Sequence, residues 1–222
     1  MSPDEKVNVA THSVGLLLFI PLAAWLLVRA APGRERAAVV VFDAAWAVLY
    51  VASILYHALP PGSLGKAALL VADYGAIFLV IGAGYTPFAL LLLPPRRVGM
   101  ALLLTWAPAV LGLAVEAAAF TSAYRMAFLR GAYILYAVQG WAPLLAYGRR
   151  VLRQLSRASL FFLVASGAVY SAGIVFYRWR SLPWHHAYWH VAVVIGCLLN
   201  VGGMRVLLTG RGGGAPAAGR SC

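Results

Sequence analysis

Apolar stretches long enough to cross a membrane alternate with short polar segments along almost the whole chain. They cover approximately residues 14–31, 38–59, 67–93, 99–120, 127–147, 159–177 and 185–208. A bilayer core of roughly 30 Å needs about 20 mostly apolar helical residues per crossing. A barrel strand would be about half as long and would alternate apolar with polar residues. The pattern therefore predicts an all-α, polytopic membrane protein with seven transmembrane helices.

The segments between the apolar stretches are short, which predicts a compact arrangement of the helices. Their sequences are APGRER, PPGSLGK, PPRR, TSAYR, GRRVLRQLSR and RWRSLP. Connections of this length join antiparallel neighbours in helical bundles. We therefore expect a single seven-helix transmembrane domain over residues 1–209. The Gly/Ala-rich run over residues 210–222 is expected to be a disordered C-terminal tail.

The composition excludes an ordinary soluble domain and changes how the charge is interpreted. The 222 residues are 63% hydrophobic and only 11% charged, and the mean hydropathy is +0.83. A net charge of +12 could suggest nucleic-acid binding. The basic residues, however, lie in the connecting segments rather than on one face of a soluble domain. We expect the lipid bilayer as the surroundings and no nucleic-acid partner.

The distribution of the basic residues also bears on the orientation in the membrane. Most of the 18 Lys and Arg residues fall on the side opposite the N-terminus, after the first, third, fifth and seventh stretches. The positive-inside rule would place that side in the cytoplasm and the N-terminus outside.

Four ionisable residues lie near the ends of apolar stretches that alternating topology brings to one membrane face. His57 ends the second stretch, Asp73 lies near the start of the third, and His186 and His190 open the seventh. A single histidine near a helix end is more often an interfacial side chain than a ligand. Ionisable groups within membrane spans are nevertheless rare, costly and usually functional. Four of them at one depth favour a shared metal site.

The residue types indicate which metal and which chemistry. His186 and His190 are spaced i, i+4, so they share one helical face. Three imidazoles with an open fourth position are typical of catalytic zinc, which makes hydroxide available from water at neutral pH. Asp73 is the candidate to accept or relay the proton. The string HAYWH differs from the metalloprotease motif, because Ala187 stands where that motif has its glutamate.

Other polar residues near this face are not expected to bind the metal. His12, together with Glu5 and Asn8, precedes the first stretch and is expected to form a solvated cap, the alternative being that the three line the entrance to the site. His185 points about 100° away from His186 around the helix, so we expect it not to be a ligand.

Two further acidic residues are expected to pair with arginines. Asp43 lies near the opposite face, where loop arginines can neutralise it. Glu116 returns to the side of the site, where either a salt bridge with Arg125 or Arg130 or an outer position around the metal site fits equally well.

Five segments resemble one known family. They are EKVNVATHSVG near residue 5, SILYHAL at 53, ADYGAIFLVIGAGYTPF at 72, YSAGIVFY at 170 and HHAYWHVAVV at 185. Over residues 5–205 the chain resembles the hemolysin III family, the bacterial branch of the progestin and adipoQ receptor family, which is related to alkaline ceramidase-like membrane hydrolases. The resemblance implies a multi-pass protein of the plasma membrane (the bacterial inner membrane). It also implies that His57, His186 and His190 bind zinc, while Asp73 and Ser53 hold or polarise the bound water.

Three functions fit these observations. The first is a zinc-dependent hydrolase acting on an amide or ester bond of a membrane lipid. The alternative is a seven-helix receptor or regulator of membrane lipid homeostasis with a structural zinc. A haemolysin ranks below both, because no separate amphipathic pore-forming segment is visible. A retinal photoreceptor is excluded, because its Schiff base needs a lysine in the last span and the only lysines are Lys6 and Lys66. The orientation in the membrane stays open. Adiponectin receptors, which belong to the wider family, carry the N-terminus on the cytoplasmic side, whereas the arginine distribution here favours the outside.

Overall fold

The computed structural model describes residues 1–120, 122, 131–132, 134–141, 152 and 155–212, in which helices are joined by turns and no strand occurs. Six helices have both ends in these ranges: α1 Pro3–Arg29, α2 Arg34–Ala58, α3 Leu64–Leu92, α4 Pro95–Ala119, α6 Arg157–Arg178 and α7 His185–Gly212. Residues 131–132, 134–141 and 152 are also helical, and the run 134–141 is labelled α5. The six helices with both ends described are long and apolar enough to cross a membrane. The predicted all-α membrane fold is confirmed. Most of the predicted tail, from residue 213 onward, lies outside the described residues.

Helix α1 begins at Pro3 rather than near residue 14, because the N-terminal residues carry strong helix-start signals. The Ser2 hydroxyl accepts a hydrogen bond from the Glu5 backbone N–H at 3.2 Å, and a proline stands in the first turn. Glu5, Asn8 and His12 therefore lie within α1. The expectation that they form a solvated cap before the first helix is wrong, since Asn8 and His12 are buried.

The packing order of the helices brings the first and the last described helices together. Helix α1 packs against α2 and α7, α2 packs against α3, α3 against α4, and α6 against α7. The main hydrophobic core follows α2, where Phe42, Trp46, Leu49 and Tyr50 are almost completely buried. The C-terminal end of α2 and the N-terminal ends of α1, α3 and α7 meet at one side of this core.

A glycine permits the close approach of α6 and α7. A Cβ atom at Gly173 would lie 2.8 Å from the Ala192 Cβ and 2.8 Å from Trp189 Cε3. We expect Gly173→Ala to lower the free energy of unfolding by about 1–3 kcal/mol, since an added methyl group in a packed interface forces displacement. This loss exceeds the gain in helix propensity of up to about 1 kcal/mol.

The matched control is Gly84→Ala, because nothing lies within 4 Å of a Cβ atom at Gly84. This variant should melt at or above the temperature of the parent protein. Thermal unfolding in detergent, followed by circular dichroism, measures both. Equal melting temperatures for the two variants would contradict the described packing at Gly173.

Candidate metal centre

Three imidazoles from two helices converge at one end of the bundle. His57 lies in the last turn of α2, and His186 and His190 lie in the first turns of α7. One ligand nitrogen from each ring lies within 4.8 Å of the others. The ring centroids are 5.0 Å apart for His57 and His186, 5.0 Å for His57 and His190, and 4.6 Å for His186 and His190. This group could hold a metal ion.

The hydrogen bonds leave a nitrogen of each imidazole available. The Nδ1–H of His57 donates to a Glu5 carboxylate oxygen, and Nδ1 of His190 lies 3.2 Å from the Asn8 carbonyl oxygen. His57 Nε2 and His186 Nε2 are buried with no hydrogen-bond partner among the described residues. Unpartnered buried nitrogens are costly. A metal ion bonded to them would remove that cost, so the donor set fits a metal.

Asp73 and Ser53 lie beside this group on α3 and α2. Ser53 precedes His57 by one helical turn, is fully buried and interacts with the Asp73 carboxyl group. Its hydroxyl oxygen forms no hydrogen bond of ordinary geometry with any described residue. Asp73, His186 and His190 line a cavity of about 40 Å³. A water molecule needs roughly 10–15 Å³ of such space, so this cavity has room for water beside the carboxylate.

His12 packs against the cluster of imidazoles and does not form a solvated cap. Its ring stacks on His190 with centroids 3.7 Å apart and planes 11° apart, and it meets the Tyr50 ring edge-on at 5.4 Å. Both of its ring nitrogens are buried without a described partner. His12 is not one of the three grouped ligands, and its stacking restricts the orientation of His190.

His185 points away from the cluster, as its 100° offset predicts. Its Nδ1 lies 3.2 Å from the Tyr177 carbonyl oxygen, and its ring centroid lies 6.3 Å from that of His186. It does not belong to the group of ligands.

The acidic residues expected to pair with arginines have other surroundings in the described part of the chain. Glu116 is buried and accepts a hydrogen bond from the Tyr136 hydroxyl at 3.1 Å, while Arg125 and Arg130 lie outside the described residues. Asp43 forms no ion pair with any described basic side chain, and one of its carboxylate oxygens is buried without a partner.

A second, larger cavity adjoins the first one. It has about 100 Å³ of space, and its walls are mostly apolar. Leu49, Ile77, Trp189 and Val193 line both cavities. The polar cluster at the membrane face thus lies next to an apolar space between the helices.

The sequence of the chain matches a known protein family. The family described as haemolysin-III related matches residues 2–201. The chain belongs to that family. The matched range contains all three grouped imidazoles as well as Glu5, Ser53 and Asp73.

Two relatives of this haemolysin-III-related protein come from Bacillus species. The chain is 32% identical over 198 residues to the "Hemolysin-3 homolog" of Bacillus subtilis (strain 168), covering 87% of this chain and 89% of the relative. It is 30% identical over 196 residues to the "Hemolysin-3" of Bacillus cereus, covering 87% and 86%. No solved structure matches the chain. The bacterial relatives and the six apolar helices indicate a multi-pass protein of the bacterial inner membrane.

Proposed function

We propose that this haemolysin-III-related protein is a zinc-dependent hydrolase that cleaves an amide or ester bond of a membrane lipid. The observation that carries the proposal is the group of three imidazoles beside a cavity that is lined by Asp73 and has room for water. Three nitrogen ligands with one position left for water or substrate are typical of catalytic zinc sites. A structural zinc is more often closed by four protein ligands, frequently thiolates, and the one described cysteine, Cys197, lies outside the group.

The residues around the cavity divide the chemistry between them. His57, His186 and His190 would hold the zinc, which when bound supplies Lewis acidity and makes water a nucleophile at neutral pH. Asp73 accepts a proton from the attacking water as the water oxygen bonds to the carbonyl carbon of the lipid. The same carboxyl group then returns a proton to the leaving amine or alcohol as the carbon–nitrogen or carbon–oxygen bond breaks. Ser53 holds Asp73 in place.

The larger cavity supports a lipid as the substrate. Its apolar walls suit a hydrocarbon chain, and a chain bound there would lie next to the polar cluster, because the two cavities share lining residues. A lipid could thus keep its tail between the helices while its carbonyl group reaches Asp73. Apolar pockets with a few convergent polar groups are the usual form of small-molecule sites.

Release of fatty acid from acyl-amide and acyl-ester lipids by the purified protein tests the proposal. Zinc-loaded protein in mixed micelles should release fatty acid, chelation should abolish the release, and added zinc should restore it. His185→Ala is the matched control and should retain activity, because His185 lies outside the ligand group. Absence of turnover on both lipid classes by zinc-loaded protein would contradict the hydrolase.

One observation favours a receptor or regulator with a structural zinc as the second candidate. The three imidazoles come from α2 and α7, which make few other contacts with each other. A metal bridging these helices would stabilise the folded state, because ligands that bind only the native form raise its stability. This candidate predicts that chelation lowers the melting temperature while zinc-loaded protein shows no turnover.

A further inference from the structure

We propose that Glu5 and Lys66 are positioning residues that orient His57 toward the metal. This inference rests on the proposed metal centre and adds residues that do not themselves bind the metal. The first turn of α1 thereby has a role in orienting a metal ligand. The hydrophobic pattern does not indicate this role, because the turn lies outside the apolar stretches.

The Glu5 carboxylate uses its two oxygens on two different partners. One oxygen accepts a hydrogen bond from His57 Nδ1–H, and the other accepts one from Lys66 Nζ at 2.8 Å. A proton held on Nδ1 leaves the lone pair on Nε2. His57 Nε2 is the buried nitrogen that has no described partner. Glu5 therefore selects the imidazole tautomer, and the ring orientation, that a metal ion needs.

Lys66 holds this carboxylate in place from α3. Its ammonium also donates to the carbonyl oxygens of Tyr56 at 2.9 Å and Leu59 at 3.1 Å. It lies 4.5 Å from the centroid of the Tyr56 ring. Together with Glu5, these acceptors use all three N–H groups of the ammonium. The two carbonyls belong to the end of α2, where backbone acceptors lack helical partners and a positive charge is favoured.

The geometry differs from that of an ordinary ion pair on a protein surface. An exposed pair stabilises a fold little, whereas this one joins α1, α2 and α3 at the turn that carries His57. A carboxylate that accepts from the second nitrogen of a metal-binding histidine fixes the ring and strengthens the ligand. Loss of such a partner typically weakens metal affinity by about 10–100-fold.

A second imidazole is held from the same helix, which supports a general role for α1. His190 Nδ1 lies 3.1 Å from the Thr11 hydroxyl and 3.2 Å from the Asn8 carbonyl oxygen. Glu5, Asn8 and Thr11 are spaced three residues apart, so they lie along one side of α1. Two of the three candidate ligands thus have Nδ1 engaged by α1, which leaves Nε2 of each for a metal.

Zinc affinity of the full-length protein in detergent tests the inference, measured by competition with a chromophoric chelator. Glu5→Gln keeps a carbonyl acceptor for His57 but loses the charge, and Lys66→Met keeps the side-chain length but loses all three donors. Each should bind zinc about 10–100-fold more weakly than the parent protein. The matched controls are Glu35→Gln, at the far end of α2, and the exposed Lys6→Met. Both should bind like the parent.

The visible spectrum of cobalt-substituted protein separates positioning from a general loss of structure. A reoriented imidazole in Glu5→Gln should shift the cobalt ligand-field bands, and Lys66→Arg should restore the parent spectrum and part of the affinity. Parent-like affinity and spectra in both Glu5→Gln and Lys66→Met would overturn the positioning role. If Glu5→Gln does not fold, Lys66→Met gives the same decision.

The outcome for the parent protein distinguishes this inference from the proposed function. A parent protein that binds neither zinc nor cobalt would overturn the metal centre and with it both proposals. Tight zinc binding that weakens in Glu5→Gln, without any lipid turnover by the parent, would support the positioning role and overturn only the hydrolase.

Discussion

Replacing His190 with alanine should remove zinc from the purified protein, from about one ion per chain to below about a tenth. His190 is 1% exposed, and its ring centroid lies 5.0 Å from that of His57 and 4.6 Å from that of His186. Its loss leaves two ligands, whereas catalytic zinc sites have three protein ligands. The folded state should also lose the stability that bound metal adds, about 4 kcal/mol when free zinc is 1,000 times its dissociation constant. Metal analysis by mass spectrometry and thermal unfolding measure the two effects.

His185→Ala controls for a general effect of removing an imidazole from the start of α7. It should keep zinc at the parent level, because His185 bonds to a backbone carbonyl and lies outside the group. His186→Ala should behave like His190→Ala. Full zinc content in His190→Ala would exclude the ligand set that is proposed here.

Asp73→Asn should lower kcat for lipid hydrolysis by about 10²–10⁴-fold while zinc remains bound. Asparagine has the size of aspartate but cannot accept a proton, and general acid–base groups contribute rate factors of this order. Steady-state kinetics and metal analysis on the same preparation test both parts of this expectation.

Ser53→Ala provides a graded comparison for Asp73→Asn. Ser53 is proposed only to hold Asp73, so its loss should lower kcat less than the loss of the carboxylate does. A parent-like kcat in Asp73→Asn would remove Asp73 from the reaction. A zinc-free Asp73→Asn protein would instead contradict its assignment as a proton carrier and indicate a ligand.

The hydrophobic pattern was sufficient to predict the membrane fold, because each crossing must place about 20 apolar residues in the bilayer. It underestimated the length of α1, since a hydropathy pattern does not register polar helical turns. The signals for that extension were present in Ser2, Pro3 and the acidic first turn, which favour a helix start. These signals are sufficient to place His12 inside a helix.

The meeting of His57 with His186 and His190 could be anticipated, because an antiparallel bundle fixes which helix ends share a membrane face. The partners of those imidazoles could not be anticipated in the same way. Glu5 and Lys66 lie outside the predicted apolar stretches, and only the packing of α1 and α3 beside α2 brings them to the end of α2 that carries His57. Spacing along one helix is local information, whereas such contacts depend on helix rotation and tilt.

The adjacency of the first and last helices determines when the site can exist during biosynthesis. The contact between Thr11 and His190 joins residues 179 positions apart in the chain. During translation α1 and α2 are synthesised before α7. The three imidazoles can therefore come together only after α7 has been inserted into the membrane. Loading of the proposed metal would therefore be a late event, and a chain truncated before α7 would carry one of the three proposed ligands.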